Sequence, residues 1–236
     1  GVIFTAKNIK FNLENAYISE GQGSIYADSN DRSNQTITID NCHLDTNSDD
    51  VYIDQTAGGI VGRYFGHDGG VCSINNCSNN CNITKNAGGI CGDYTGDNGT
   101  VTIDNCINYG ELVEVNNDSG SAVDANSGGI CGTKTGGVNN TGTVTISNCT
   151  NEGTINGKKS GGICGQYTYG QITIESCTNK GEIAGTQAGG MCGRRACEEG
   201  TLTITNCINE GSLTGVSSGG ICGGYLGNSS SSVATI

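Results

Sequence analysis

The 236-residue chain contains 41 glycines, no proline and no tryptophan, and aromatic residues make up only 5% of it. Sparse helix formers and plentiful Thr, Ile, Val and Asn exclude a helical bundle or a ring-filled α/β core and favour short strands between tight turns. A net charge of −12 without any basic cluster argues against nucleic acid and anionic membranes as partners, and no apolar run is long enough to span a bilayer.

The chain opens on Gly1-Val2-Ile3-Phe4-Thr5, directly in repeat-like sequence, as a mature or excised segment would. A degenerate first rung is expected over 1–34. In it, Leu13-Glu14-Asn15-Ala16 and Gly23-Ser24-Ile25-Tyr26-Ala27 stand for two boxes that recur clearly further on. The first box reads T-x-T-I-x-N-C-x-N-x-G: TVTIDNCINYG from Thr100, TVTISNCTNEG from Thr143, QITIESCTNKG from Gln171 and TLTITNCINEG from Thr201. Weaker versions start at Thr36 and Val71. The second box, G-G-I-C-G, starts at Gly58, Gly88, Gly128, Gly161, Gly189 and Gly219. Repeats then run over 35–69, 70–97, 98–140, 141–169, 170–198 and 199–228, followed by a strand stub over 229–236, all in one domain, 1–236. A polar insertion, about Val113–Asn126, is expected to loop out of the repeat it interrupts.

Each repeat, roughly 29 residues long, supplies three strand-like pieces. In Thr100-Val101-Thr102-Ile103 the period is two, with Val101 and Ile103 on one face. A second piece carries Ile83, Leu112, Ile155, Ile183 and Leu213; a third carries Ile60, Ile90, Ile130, Ile163, Met191 and Ile221. Three apolar columns in register predict an all-β fold, a right-handed parallel β-helix (β-solenoid) of about seven rungs. The hand follows the usual sense of parallel crossovers. Rungs about 4.8 Å apart give a rod roughly 35 Å long. Its last strand, Val233-Ala234-Thr235-Ile236, repeats the T-V-T-I pattern, while Gly1–Thr5 can be aligned with a G-G-I-C-G strand. Both ends thus read as open rungs.

Asn41, Asn76, Asn105, Asn148 and Asn206, with Ser176 as the exception, form a column beside cysteine. It is expected to turn inward and bridge rungs through its amides. Fourteen cysteines without C-x-x-C spacing point to an oxidising, extracellular setting rather than zinc. Two columns hold most of them. Their joint presence in later repeats suggests in-repeat disulfides: Cys77–Cys91, Cys106–Cys131, Cys149–Cys164, Cys177–Cys192 and Cys207–Cys222. A ladder of free, packed thiols is the alternative. Cys42, Cys72, Cys81 and Cys197 stay unassigned.

Among eight N-x-S/T sequons, Asn34, Asn98, Asn139 and Asn228 fall in the turn before the T-x-T strand, where glycans would line one edge. Asn76 and Asn148, in the supposed inward column, read as poor acceptors. The outward pairs Thr36/Thr38, Thr100/Thr102, Thr143/Thr145 and Thr201/Thr203 resemble a flat ice-binding face, interrupted by Val71/Ser73 and Gln171/Thr173. His43 and His67 sit in no catalytic motif, and Asp93–Asn98 lacks the spacing of a calcium loop, so no catalytic residue, cofactor or metal is expected.

The alternation of Gly161-Gly162-Ile163-Cys164-Gly165 with Ile174-Glu175-Ser176-Cys177-Thr178-Asn179-Lys180-Gly181 resembles the GLUG-motif repeats of secreted and cell-surface proteins, over about residues 8–225. The resemblance implies an extracellular stalk, adhesin or surface-layer segment. The functional expectation is a non-catalytic structural module, stacked on copies of itself or on the rest of a longer repeat chain. The alternative is a binding module, taking ice on the Thr face or glycan in a wall groove.

Overall fold

The computed structural model describes residues 3–13, 17–27, 33–46, 48, 51–116, 122–139, 141–227 and 229–236. Among these, every regular element is a strand, and the strands stack in parallel as a β-solenoid of about seven turns. One wall runs without a break through Ile3–Leu13, Thr36–Thr46, Val71–Asn75, Thr100–Asp104, Thr143–Ser147, Tyr169–Glu175, Glu199–Thr205 and Val233–Thr235. Each pairs in register with the next, so Thr100 meets Thr143 and Thr201 meets Val233. A second wall is built of two-residue strands, from Ser78–Asn79 to Ile208–Asn209. The rest closes through isolated parallel bridges: Ile83, Leu112, Ile155, Ile183 and Leu213 in one file, and Val61, Cys91, Cys131, Cys164, Cys192 and Cys222 in another.

Period-two alternation puts the apolar residues of the first wall inside and its threonines outside, on a pleated surface that suits both. Ile37, Cys72, Val101, Val144, Ile172 and Leu202 form one buried file, and Ile39, Ile74, Ile103, Ile146, Ile174 and Ile204 the next. Val101, Ile103, Leu112 and Ile130 are fully buried, as the register requires. Each such side chain contributes about 1.5–3 kcal/mol by leaving water. Cys72, unassigned by the repeat alignment, fills the position Val101 holds in the following rung.

The asparagines beside the cysteine column are not inward. Asn41, Asn76, Asn105, Asn148 and Asn206 all have φ between 51° and 55°, Ser176 has 54°, and all six are exposed. The left-handed turn reverses the alternation at the corner, so the next residue, cysteine, points in and the asparagine points out. Asn76 and Asn148 are therefore surface residues.

The inward amides come three residues later. Asn79, Asn108, Asn151 and Asn179 are fully buried, and each donates to the next rung at 2.8, 2.8, 2.8 and 2.7 Å, ending on Asn209. Each also donates to a backbone carbonyl two residues on, as Asn108 does to Gly110 O at 2.7 Å. The amide lies where the second glycine of G-G-I-C-G leaves room. A Cβ on Gly89 or Gly129 would come 2.7 Å from Asn108 Oδ1 or 2.6 Å from Asn151 Oδ1. The two boxes thus fit together physically: the asparagine needs the glycine's missing side chain.

Two other expectations change. Ile3–Leu13 pairs with Thr36–Thr46, Ile3 opposite Thr36, so the chain begins on a T-x-T strand and not on a G-G-I-C-G strand. Ala6 and Ile9 occupy the places of Ile39 and Cys42, and Asn8, at φ 57°, takes the turn of Asn41. The first copy of the box is therefore centred on Asn8, not on 13–16, of which only Leu13 is described. Gly23–Ala27 does stand for G-G-I-C-G, with Tyr26 bridged to Val61. The insertion carries an antiparallel pair, Val115–Asn116 with Ala122–Val123, outside the parallel stack. The chain rejoins the stack at Asn126, whose amide donates to Lys158 O.

Candidate functional site

The cysteines make the largest cluster of reactive side chains. All fourteen carry free thiols, and twelve are buried. Each column follows the axis. Cys106 contacts the thiols of Cys77 and Cys149, and Cys177 those of Cys149 and Cys207. In the other column Cys131 contacts Cys91 and Cys164, and Cys192 contacts Cys164 and Cys222. The structure's thiol contacts join rungs, therefore, and do not join Cys77 to Cys91, Cys106 to Cys131, Cys149 to Cys164, Cys177 to Cys192 or Cys207 to Cys222. The two members of a repeat sit on different walls, whereas stacked rungs lie one strand spacing apart. Burial pushes the Cys72 thiol up to about 11 and the Cys81 thiol up to about 12. It raises Cys42 and Cys131 as well. Nucleophilic chemistry needs the thiolate, so Cys42, Cys72, Cys81 and Cys131 are packed, protonated groups in the folded chain.

The outer face of the first wall presents two hydroxyl files of unequal quality. Thr5, Thr38, Ser73, Thr102, Thr145, Thr173, Thr203 and Thr235 form an unbroken column. Its neighbour runs Ile3, Thr36, Val71, Thr100, Thr143, Gln171, Thr201 and Val233. The third outward file carries charge, with Lys7, Asp40, Asp104 and Glu175. Asn34, Asn98 and Asn139 are exposed along one edge, bonded to the rungs beside them; Asn98 Nδ2 donates to Asp68 at 3.3 Å and Asn139 Nδ2 to Asp97 at 3.4 Å. Asn228 lies outside the described residues.

A shallow depression of about 430 Å³ opens on the second wall, lined by Lys10, His43, Leu44, Asp45, Ser78, Asn80 and Tyr109. Its polar groups are tied across rungs. His43 Nδ1 is 2.8 Å from Ser78 Oγ, and its Nε2 is 2.9 Å from Asn41 Oδ1. The hydrogen bond from Asn80, and then that from Lys10, hold the Asp45 carboxyl below its usual range. Such a surface offers hydroxyl-matching donors and acceptors beside one tyrosine ring.

Sequence reasoning missed one further file. Tyr64, Tyr94, Lys134, Tyr167, Arg195 and Tyr225 occur two residues after the G-G-I-C-G box, all with φ between 55° and 63°. The rings of Tyr64 and Tyr94 stack at 4.8 Å, Lys134 lies 4.5 Å above Tyr94, and Arg195 lies 5.7 Å above Tyr167. A repeat position alternating Tyr with Lys or Arg was the available signal, because cations and rings stack in turn.

Among the described residues no three His, Cys, Asp or Glu side chains are placed to hold a metal, and no helix is long and apolar enough to cross a membrane. Compared with known proteins, the chain matches no family model, no curated protein and no solved structure.

Proposed function

We propose that this chain is an extracellular structural module, a stalk or filament segment that holds distance and joins end to end and has no catalytic role. The observation that carries it is the last full rung. Leu213 is 50% exposed and Val216 71%, although the residue below Leu213 in the same file, Ile183, is fully buried. Another rung laid on this edge, from the same chain or a second copy, would bury these groups and pair the open strand edge. Contact of this head-to-tail kind does not close on itself and so builds fibres. The exposed sequon edge and the likeness to GLUG repeats support a setting outside the cell. Electron microscopy and sedimentation of the purified chain across a concentration series test the reading. The expected result is rods in multiples of one unit length; a monodisperse monomer at every concentration overturns stacking.

The unbroken hydroxyl column favours one second reading, a binding surface for ice, with the depression around His43 and Tyr109 as its glycan counterpart. The charges of Asp40, Asp104 and Glu175 beside the column weigh against ice. Ice recrystallisation and glycan-array assays separate the two, and silence in both removes this reading.

A further inference from the structure

The six-cysteine column has a property its neighbour lacks: an even number of members. It comprises Cys42, Cys77, Cys106, Cys149, Cys177 and Cys207, whereas Cys91, Cys131, Cys164, Cys192 and Cys222 make five, with Val61 in the remaining place. At three places in the six, the sulfur of one rung accepts from the amide N–H of the rung before. Cys77 Sγ is 3.4 Å from Cys42 N, Cys149 Sγ is 3.4 Å from Cys106 N, and Cys207 Sγ is 3.4 Å from Cys177 N. The Cys177 thiol also contacts the Cys149 backbone, but a file of six in which each thiol meets only its neighbours has a single pairing that uses every member, and it is the one these three approaches mark. Strands in register lie about 4.7–4.9 Å apart, inside the roughly 4.4–6.8 Å that bridged Cα atoms span. The column also sits at the corner where the left-handed Asn or Ser has interrupted the alternation, and not in the middle of a regular strand.

We propose that this column closes along the axis in an oxidising compartment, as Cys42–Cys77, Cys106–Cys149 and Cys177–Cys207. Each bridge forms by exchange with a disulfide-bearing oxidant, either a small-molecule disulfide or an oxidoreductase. The thiolate of one cysteine attacks a sulfur of the oxidant and expels its first thiol. The cysteine of the adjoining rung then attacks the mixed disulfide and expels the second. The two protons lost by the cysteines end on the two thiols of the reduced oxidant. Cys42 and Cys77 are at most 1% exposed once folded, so the exchange accompanies the docking of one rung on the next. The consequence is a rod stapled in three places along the direction in which a stalk carries load. The five-member column cannot pair internally without leaving a free thiol.

The test is a disulfide map. The whole chain is secreted into an oxidising compartment, its free thiols are trapped with an alkylating agent in denaturant, and it is digested without reduction. Crosslinked peptides joining Cys42 to Cys77, Cys106 to Cys149 and Cys177 to Cys207 are expected, and they should disappear on reduction. Peptides joining Cys77 to Cys91 or Cys77 to Cys106 overturn the pairing, and so does a folded chain with all six cysteines alkylated. In Cys106→Ser, the bridges Cys42–Cys77 and Cys177–Cys207 should persist; should that variant fail to fold, the map of the unmodified chain decides alone. A chain that carries these bridges yet stays monomeric ends the filament reading and leaves this one standing.

Discussion

Asn105 and Asn108 stand three residues apart in one box, recur together from rung to rung, and do opposite things. Asn105 is exposed at φ 51° and donates outward to Asn76 Oδ1 at 2.8 Å. Asn108 is fully buried and donates both to Asn151 and to Gly110 O. The first is selected for a backbone angle, since Asn is the side-chain-bearing residue that enters the left-handed region most readily. The second is selected because a buried amide is tolerable only when its donors and acceptors are met. Accordingly Ser176 replaces the first kind without visible disturbance, while the buried file holds asparagine from Asn79 to Asn209 and changes to Leu44 only beyond its end. A polar group inside this solenoid survives because the next rung brings its partner.

The harshest way to break that rule is to bury a charge where no rung supplies one. Ile103→Asp places a carboxylate between Ile74 and Ile146, in a file that is apolar throughout. The cost is several kcal/mol, comparable with the whole stability of a small domain, and the rung should not form. Circular dichroism and size exclusion check it; a fully folded Ile103→Asp chain would contradict the register of the first wall.

A milder case already exists in the sequence. Asp93 is 2% exposed at a position where the adjoining rungs carry Arg63 and Thr133, so neither neighbouring rung continues it as a ladder. Burial pushes its carboxyl up to about 7 from an ordinary value near 3.8, and nearby Lys134 and Arg63 only partly oppose this. The folded chain then binds a proton that the unfolded chain has released, between roughly pH 4 and pH 7. Stability contributed by this site is present at low pH and is lost as pH rises through that window, by an amount on the order of a few kcal/mol. Asp93→Asn keeps the shape and an acceptor for the Tyr94 amide, now 2.9 Å from Asp93 Oδ1. It should raise the melting temperature clearly at pH 8 and little at pH 4. Equal effects at both would show that Asp93 does not titrate in this window.

How much of this was legible in the sequence follows from what each residue type announces. Ile103, Val101 and Leu112 recur with a period tied to one turn, and a recurring apolar residue has one common reason to recur. The wall and the rung count were therefore readable. Asparagine recurs for at least two reasons, and nothing in N-C-x-N says which amide faces inward. The pairing of Asn108 with Gly89 across a rung decides it, and that contact is not local. The first rung is hidden for a similar reason: Ala6 and Ile9 stand where the next rung carries Ile39 and Cys42, so the box lacks its letters but keeps its geometry. The cysteines were visible as columns, yet which sulfur meets which depends on rung spacing and corner shape.

The finest test sets the two asparagines directly against each other. Asn108→Ala removes the donor to Asn151 Oδ1 and Gly110 O and the acceptor used by Asn79 Nδ2. Buried groups left without partners cost about 1–3 kcal/mol each and do not add fully, so a loss of about 2–4 kcal/mol is expected. Asn105→Ala deletes one exposed hydrogen bond and asks a Cβ-bearing residue without asparagine's local hydrogen bonding to hold φ near 51°. That costs about 1 kcal/mol, and Asn105→Gly, which enters this region freely, should cost less still. Urea unfolding measures all three through the midpoint, provided the slope is unchanged. The order Asn108→Ala, Asn105→Ala, Asn105→Gly follows only if one amide is a rung-to-rung bond and the other a turn. Equal losses at both positions, or a Gly variant worse than the Ala variant, would mean that the outward file is held by its side chain after all.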